Sequence, residues 1–120
     1  MIKRIPTLSD ETCPSCVVAG DYIFLAHHGG GLEVKEITHQ VRAIFESIKK
    51  TLAAVNATLD NLVQLNFYIK DTDDFDKGRE VFFEYFKNGF PARMTVVTKF
   101  LDEEILCQID GIAYKPNCPE

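Results

Sequence analysis

Between Val34 and Val55 the apolar residues Ile37, Val41, Ile44, Phe45, Ile48 and Leu52 recur at the three- and four-residue spacing of an α-helix. The pattern predicts one long amphipathic helix, beginning at Val34 and ending before Asn56. Such a helix must bury its apolar face against another layer, so the rest of the chain has to supply one. Residues 2–5 and 16–19 read as short strands, and Tyr22 to His27 as a stronger one. Gly29-Gly30-Gly31 then breaks the pattern. Residues 62–70 alternate, with Val63, Leu65, Phe67 and Ile69 on one face and Leu62, Gln64, Asn66 and Tyr68 on the other. Thr72-Asp73-Asp74 reads as the cap of a second helix, its acidic first turn suited to the helix dipole and its buried stripe made of Phe75, Phe82 and Phe86.

Pro91 cannot extend that helix, and Met94-Thr95-Val96-Val97-Thr98 is β-branched strand sequence. A closing strand places Ile105, Cys107, Ile109, Gly111 and Ala113 on one side and Leu106, Gln108, Asp110, Ile112 and Tyr114 on the other. The order β-β-β-α-β-α-β-β predicts an α+β domain spanning residues 1–120, with two helices packed on one sheet face. Both faces of the closing strand are partly apolar, so solvent is not expected to cover either completely.

Composition narrows the functions. The 120 residues carry a net charge of −5 and a pI near 5.2, which argues against nucleic acid as the main partner because phosphate binding needs clustered cations. No apolar run is long enough to span a bilayer and no charged-then-apolar leader opens the chain, so a cytosolic protein is expected. Cys13, Cys16, Cys107 and Cys118 are read as reduced thiols. Cys13-Pro14-Ser15-Cys16 has C-x-x-C spacing, but a strand follows it where a thioredoxin-like motif needs a helix. A zinc site there would draw on His27-His28 as its second ligand pair. The plainer reading is two small residues in an N-terminal loop.

Phe90-Pro91-Ala92-Arg93 carries the most chemistry. Pro91 fixes the turn and pushes Phe90 toward an extended conformation, so Arg93 is presented where a loop becomes a strand. A guanidinium held there is a planar fork that matches a carboxylate with two parallel hydrogen bonds. The alternative is a surface arginine at a strand edge.

The order helix, Phe-Pro-Ala-Arg, strand, then Gln108-Ile109-Asp110-Gly111-Ile112-Ala113-Tyr114 resembles the Rid/YjgF family, the reactive intermediate deaminases, also called the endoribonuclease L-PSP family. Gly20-Asp21-Tyr22-Ile23-Phe24-Leu25, Leu62 to Asp71 and Asp74-Phe75 extend the likeness over roughly residues 15 to 115. The resemblance implies a YjgF-like (chorismate-mutase-like) single mixed sheet of about six strands, and a homotrimer with a central barrel and ligand clefts between neighbours. It also implies that no cofactor is needed.

By the same resemblance Arg93 binds a substrate carboxylate, and Thr95 stands on the same strand face where the family often has cysteine. Ala26-His27-His28 replaces the family's Ser-Gly-Gln turn, which makes His27 and His28 candidate ligand contacts with groups able to titrate near neutral pH. Gln108 stands where deaminating members have a glutamate that positions or activates water. Glutamine can orient a water but is not a useful base near pH 7. Asp110 keeps a carboxylate two residues further along the same face. Arg79 stands in place of an asparagine. Facing the cleft, it would favour a dicarboxylate or phosphorylated ligand; facing outward, the preferred reading, it is a solvated charge beside Asp76 or Glu80. The family's site tyrosine has no clear equivalent, Ser15 or Cys16 falling nearby.

The expected function is an enamine/imine deaminase hydrolysing short 2-imino acids to 2-keto acids and ammonia. Arg93 would hold the carboxylate and Gln108 the water. The alternative is a non-catalytic trimer that binds a small carboxylate. Endoribonuclease activity is a third reading, against which the acidic composition weighs.

Overall fold

The computed structural model describes residues 2–7 and 9–116; Cys118 lies outside them. Six strands form one sheet: β1 (Ile2–Ile5), β2 (Cys16–Ala19), β3 (Tyr22–His28), β4 (Leu62–Ile69), β5 (Ala92–Val97) and β6 (Cys107–Tyr114). Their spatial order is β1-β2-β3-β6-β4-β5. Every pairing is antiparallel except β4 with β5, which run parallel and are joined by a helix. The helices are α1 (Ile37–Ala53) and α2 (Phe75–Tyr85). The expected element order and mixed sheet are therefore the observed ones.

Helix α1 starts three residues later than its apolar pattern suggests, because Glu36 caps it. The Glu36 carboxylate accepts the backbone N–H of Thr38 at 2.9 Å and of His39 at 3.0 Å, which leaves Val34 outside the helix and exposed. Residues 72–74 form a 3-10 turn of their own, with Asp71 rather than Thr72 as the capping residue, and α2 begins at Phe75.

The core lies between the sheet and both helices. Val41, Ile44, Phe45, Ile48 and Leu52 of α1 are wholly buried against Leu65, Phe67 and Ile69 of β4 and Ile109 of β6. Each such side chain contributes roughly 1.5–3 kcal/mol of transfer free energy. Phe45 stands edge-on to Phe82 at 5.1 Å and to Phe86 at 5.3 Å, which locks α2 onto α1. Gln40 is the buried polar member of the α1 stripe. Its amide nitrogen donates to the Val34 and Glu104 carbonyls, and its oxygen accepts the Leu106 N–H at 2.9 Å, tying α1 to the segment that leads into β6.

Two extra residues bend the sheet, one on each side of β6. In β4 the register shifts between Leu62 and Gln64, so Leu62 is buried and Val63 is 47% exposed. This corrects the unbroken alternation expected for residues 62–70: a β-bulge exchanges the faces of the first two positions. A second shift, between Leu25 and His28, lengthens β3 and turns His28 toward the helices. Among the described residues the opposite sheet face carries no helix, and Tyr22, Phe24, Met94 and Tyr114 are exposed.

Candidate functional site

Arg93 is paired across β4 with Leu65, and Thr95 with Phe67, so both lie on the helix-covered face at the rim of the sheet. Helix α2 crosses beneath them. The Arg93 guanidinium carbon sits 5.3 Å from the centre of the Phe75 ring and 5.8 Å from that of Phe82, within cation–π range of both. Its Nε donates to the Thr95 hydroxyl at 3.1 Å, which fixes the plane of the fork. No carboxylate among the described residues lies within ion-pair distance of it.

Phe90 folds back on α2, edge-on to Phe83 at 5.4 Å and 6.3 Å from Phe86. The result is a cleft of about 270 Å3 lined by Arg79, Phe82, Phe83, Phe90 and Arg93. Arg79 does pair with Asp76, at 3.6 Å, as the outward reading expects, yet its side chain lines this cleft as well. Arg79, Arg93 and Thr95 are thus brought together.

The histidines lie elsewhere. His27 and His28 line a larger depression of about 550 Å3 with Asp10, Cys13 and Ser15 of the N-terminal loop and Thr51 of α1. The neighbours have different environments: His27 is exposed and His28 buried. His28 Nδ1 stands 2.7 Å from the Ala26 carbonyl, which can only accept, so that nitrogen carries the proton. Nε2 then accepts from the Thr51 hydroxyl at 2.8 Å. Burial holds the His28 pKa below the ordinary histidine value, against the opposing pull of the Ala26 carbonyl. Cys13 is half-buried and free, and Cys16 is buried at the start of β2. No cluster of three or more metal-binding side chains occurs among the described residues.

Gln108 and Asp110 occupy the bare sheet face. Asp110 is held by Asn66 Nδ2 at 2.8 Å and by the Tyr68 hydroxyl at 3.0 Å. Burial, reinforced by the hydrogen bond to Asp110, pushes the Tyr68 pKa up. Gln108 is opposite Tyr68 and alongside Gly29, where a Cβ would sit 3.8 Å from its Cγ. Arg93 and Gln108 therefore lie on opposite faces of their own sheet, and a single chain does not join them in one site.

Sequence reasoning missed the aromatic floor under Arg93, the Thr51 contact to His28 and the Asn66–Tyr68 cradle of Asp110. The cradle was readable in principle, since Asn66, Tyr68 and Asp110 fall on one predicted sheet face. The floor of Phe75 and Phe82 is hidden because their helical spacing reads equally as a core stripe.

Fold and rim cleft together define a small α+β protein with one helix-covered sheet face, one bare face and paired guanidiniums at the sheet edge. The chain belongs to the Rid/YjgF family, whose profile, described as Endoribonuclease L-PSP, matches residues 14–115. It is 34% identical over 105 residues to a RutC family protein of Pyrococcus horikoshii, covering 82% of this chain and 83% of that one. Over 76 residues it is 29% identical to the 2-iminobutanoate/2-iminopropanoate deaminase of Dermatophagoides farinae, covering 63% of this chain and 59% of that one. A yjgF-family protein from Streptococcus pyogenes superposes with a TM-score of 0.88 at 28% identity, over 97% of this chain and 98% of that one. A YjgF-family protein from Neisseria meningitidis shares the fold with a TM-score of 0.89 at 20% identity, over 98% of each chain. No helix among the described residues is long and apolar enough to cross a membrane.

Proposed function

We propose that the protein hydrolyses short 2-imino acids to 2-keto acids and ammonia, with Arg93 holding the substrate carboxylate. The observation that carries this reading is the state of Arg93. It is stacked on an aromatic floor, fixed through Nε by Thr95, and has no carboxylate partner among the described residues, so its terminal nitrogens suit an incoming anion. The deaminase among the relatives supports the same chemistry.

Water adds to the imine carbon as the imine nitrogen takes a proton, and the resulting carbinolamine expels ammonia to leave the ketone. Atoms balance with water alone. Arg93 orients the imine, and Gln108 orients the water through its amide without accepting a proton. Gln108 lies across the sheet from its own Arg93, so the complete site combines neighbouring copies in a homotrimer. The exposed Tyr22, Phe24, Met94 and Tyr114 of the bare face support such packing. In this arrangement His27 and Asp110 are substrate contacts contributed from beyond the arginine cleft, whereas His28, its two ring nitrogens engaged by Ala26 and Thr51, supports the turn that carries His27.

A second reading, a non-catalytic binder of small carboxylates, is favoured by Gln108 standing where a base would be needed. Ammonia release from 2-iminobutanoate generated in situ separates the two. Acceleration over the spontaneous rate, lowered roughly tenfold or more in kcat/KM by Arg93→Ala, is expected if one charged hydrogen bond is lost. Tight 2-keto acid binding without acceleration, by a protein of trimeric size, would establish the binder instead.

A further inference from the structure

Arg79 brings a second, weakly paired guanidinium to the cleft. It lies one turn beyond Phe75 on α2, and its guanidinium carbon is 5.5 Å from the centre of the ring over which Arg93 stacks. Its Nε is buried and has no hydrogen-bond partner among the described residues. Its one ionic contact among the described residues, Nη2 to Asp76 Oδ1 at 3.6 Å, is long, and the Asp76 side chain is 86% exposed. A buried N–H without an acceptor is unfavourable, and so are two cations gathered around one aromatic ring. A ligand with one carboxylate relieves only part of this, since Arg93 alone can absorb it. A ligand with two carboxylates answers both guanidiniums, and the Phe82, Phe83 and Phe90 walls suit the methylene carbons between them.

We propose, resting on the reading of Arg93 as the carboxylate holder, that the preferred substrates are 2-imino acids whose side chain ends in a second carboxylate. Arg93 takes the carboxylate next to the imine and Arg79 the distal one. The overall change is that of any such imine: one water consumed, the C=N bond replaced by C=O, and ammonia released.

The test measures calorimetric binding of 2-oxoglutarate and 2-oxobutanoate to the wild type, Arg79→Asn and Arg79→Lys. In parallel, ammonia release is followed from 2-iminoglutarate and 2-iminobutanoate generated in situ. The wild type should bind the dicarboxylate roughly tenfold more tightly or better, the worth of one charge-assisted hydrogen bond. Arg79→Asn should bring that ratio close to one, and Arg79→Lys should retain part of it. Equal binding of the two keto acids by the wild type, or a ratio that survives Arg79→Asn, overturns the inference. A dicarboxylate preference without turnover of either imine upholds Arg93 and Arg79 as the holders of the two carboxylates and overturns both hydrolysis and the substrate assignment. Turnover of 2-iminobutanoate without any dicarboxylate preference upholds hydrolysis and removes the inference.

Discussion

Gly111→Ala sets two effects of known sign against each other. A Cβ at Gly111 would lie 2.6 Å from the Gln64 carbonyl oxygen and 3.3 Å from both Cα and Cβ of Leu65. The obstacle is backbone, at the point where β4 shifts register against β6, so no rotamer change clears it. Overpacking of this kind costs about 1–3 kcal/mol. Against it, replacing glycine restricts the unfolded chain and stabilises by about 0.4–1 kcal/mol. The clash wins, and the variant should lose about 1–2 kcal/mol, with Tm lower by about 3–10 °C for a domain of this size.

Gly78→Ala is the matched control. There a Cβ would meet Phe67 Cζ at 3.0 Å and Ile37 Cγ1 at 3.2 Å, which are side-chain atoms able to shift, and the helix interior gains alanine propensity of about 1 kcal/mol. Its net change should stay within about 1 kcal/mol of zero. Urea unfolding followed by far-UV circular dichroism, at one fixed protein concentration, measures both variants. A Gly111→Ala protein as stable as the wild type would refute the reasoning that the bulge holds β4 rigidly against β6.

Other expectations follow from the same packing. The His28 pKa is lowered in the folded state, so the unfolded chain binds more protons. The stability due to neutral His28 is complete above the ordinary value of 6.5 and is lost as pH falls below it, with a slope of at most about 1.4 kcal/mol per pH unit; His28→Leu should flatten the profile, and an unchanged slope would exclude His28 as its source. Among Cys13, Cys16 and Cys107, iodoacetamide should label Cys13 first. The other two are 1% exposed, and burial pushes the Cys107 thiol up to about 12, so peptide mapping that finds Cys107 labelled as fast as Cys13 would contradict the structure. Phe45→Ala should lose about 3–5 kcal/mol of stability, and a loss below about 1 kcal/mol would mean that α2 closes the cavity.

The elements were legible because hydrophobic periodicity is dictated by burial: α1 shows it at Ile37, Val41, Ile44, Phe45, Ile48 and Leu52, and β6 at Cys107, Ile109 and Ala113. What periodicity cannot encode is an extra residue inside a strand. Leu62 and Val63 are both apolar, so nothing in the pair says which is buried; that is decided by Leu62 pairing with Ala113 and Gln64 with Ile112, which leaves Val63 as the extra residue between them. The α1 start is illegible for a related reason, since Val34 fits the stripe while Glu36 caps two residues later. At the candidate site Arg93 was readable from its proline-fixed turn. The placement of Arg79 in the same cleft was not, because helix spacing alone serves Asp76 and the cleft equally well.

The last of the described strands in sequence lies inside the sheet, third from the β5 edge and fourth from the β1 edge. β6 lies between β3 and β4, which do not pair with each other, so the sheet consists of two separate sets of strands until β6 is inserted. During synthesis, a chain that stops short of Leu106 has β1 to β3 on one side and β4 with β5 on the other, and Gln40 lacks the Leu106 N–H it will later accept. Completion therefore waits for the C-terminal segment, making folding a late and largely non-local event. Until then the partner-seeking edges of β3 and β4 are open, and their joint occupation by one strand is what turns two aggregation-prone halves into a single sheet.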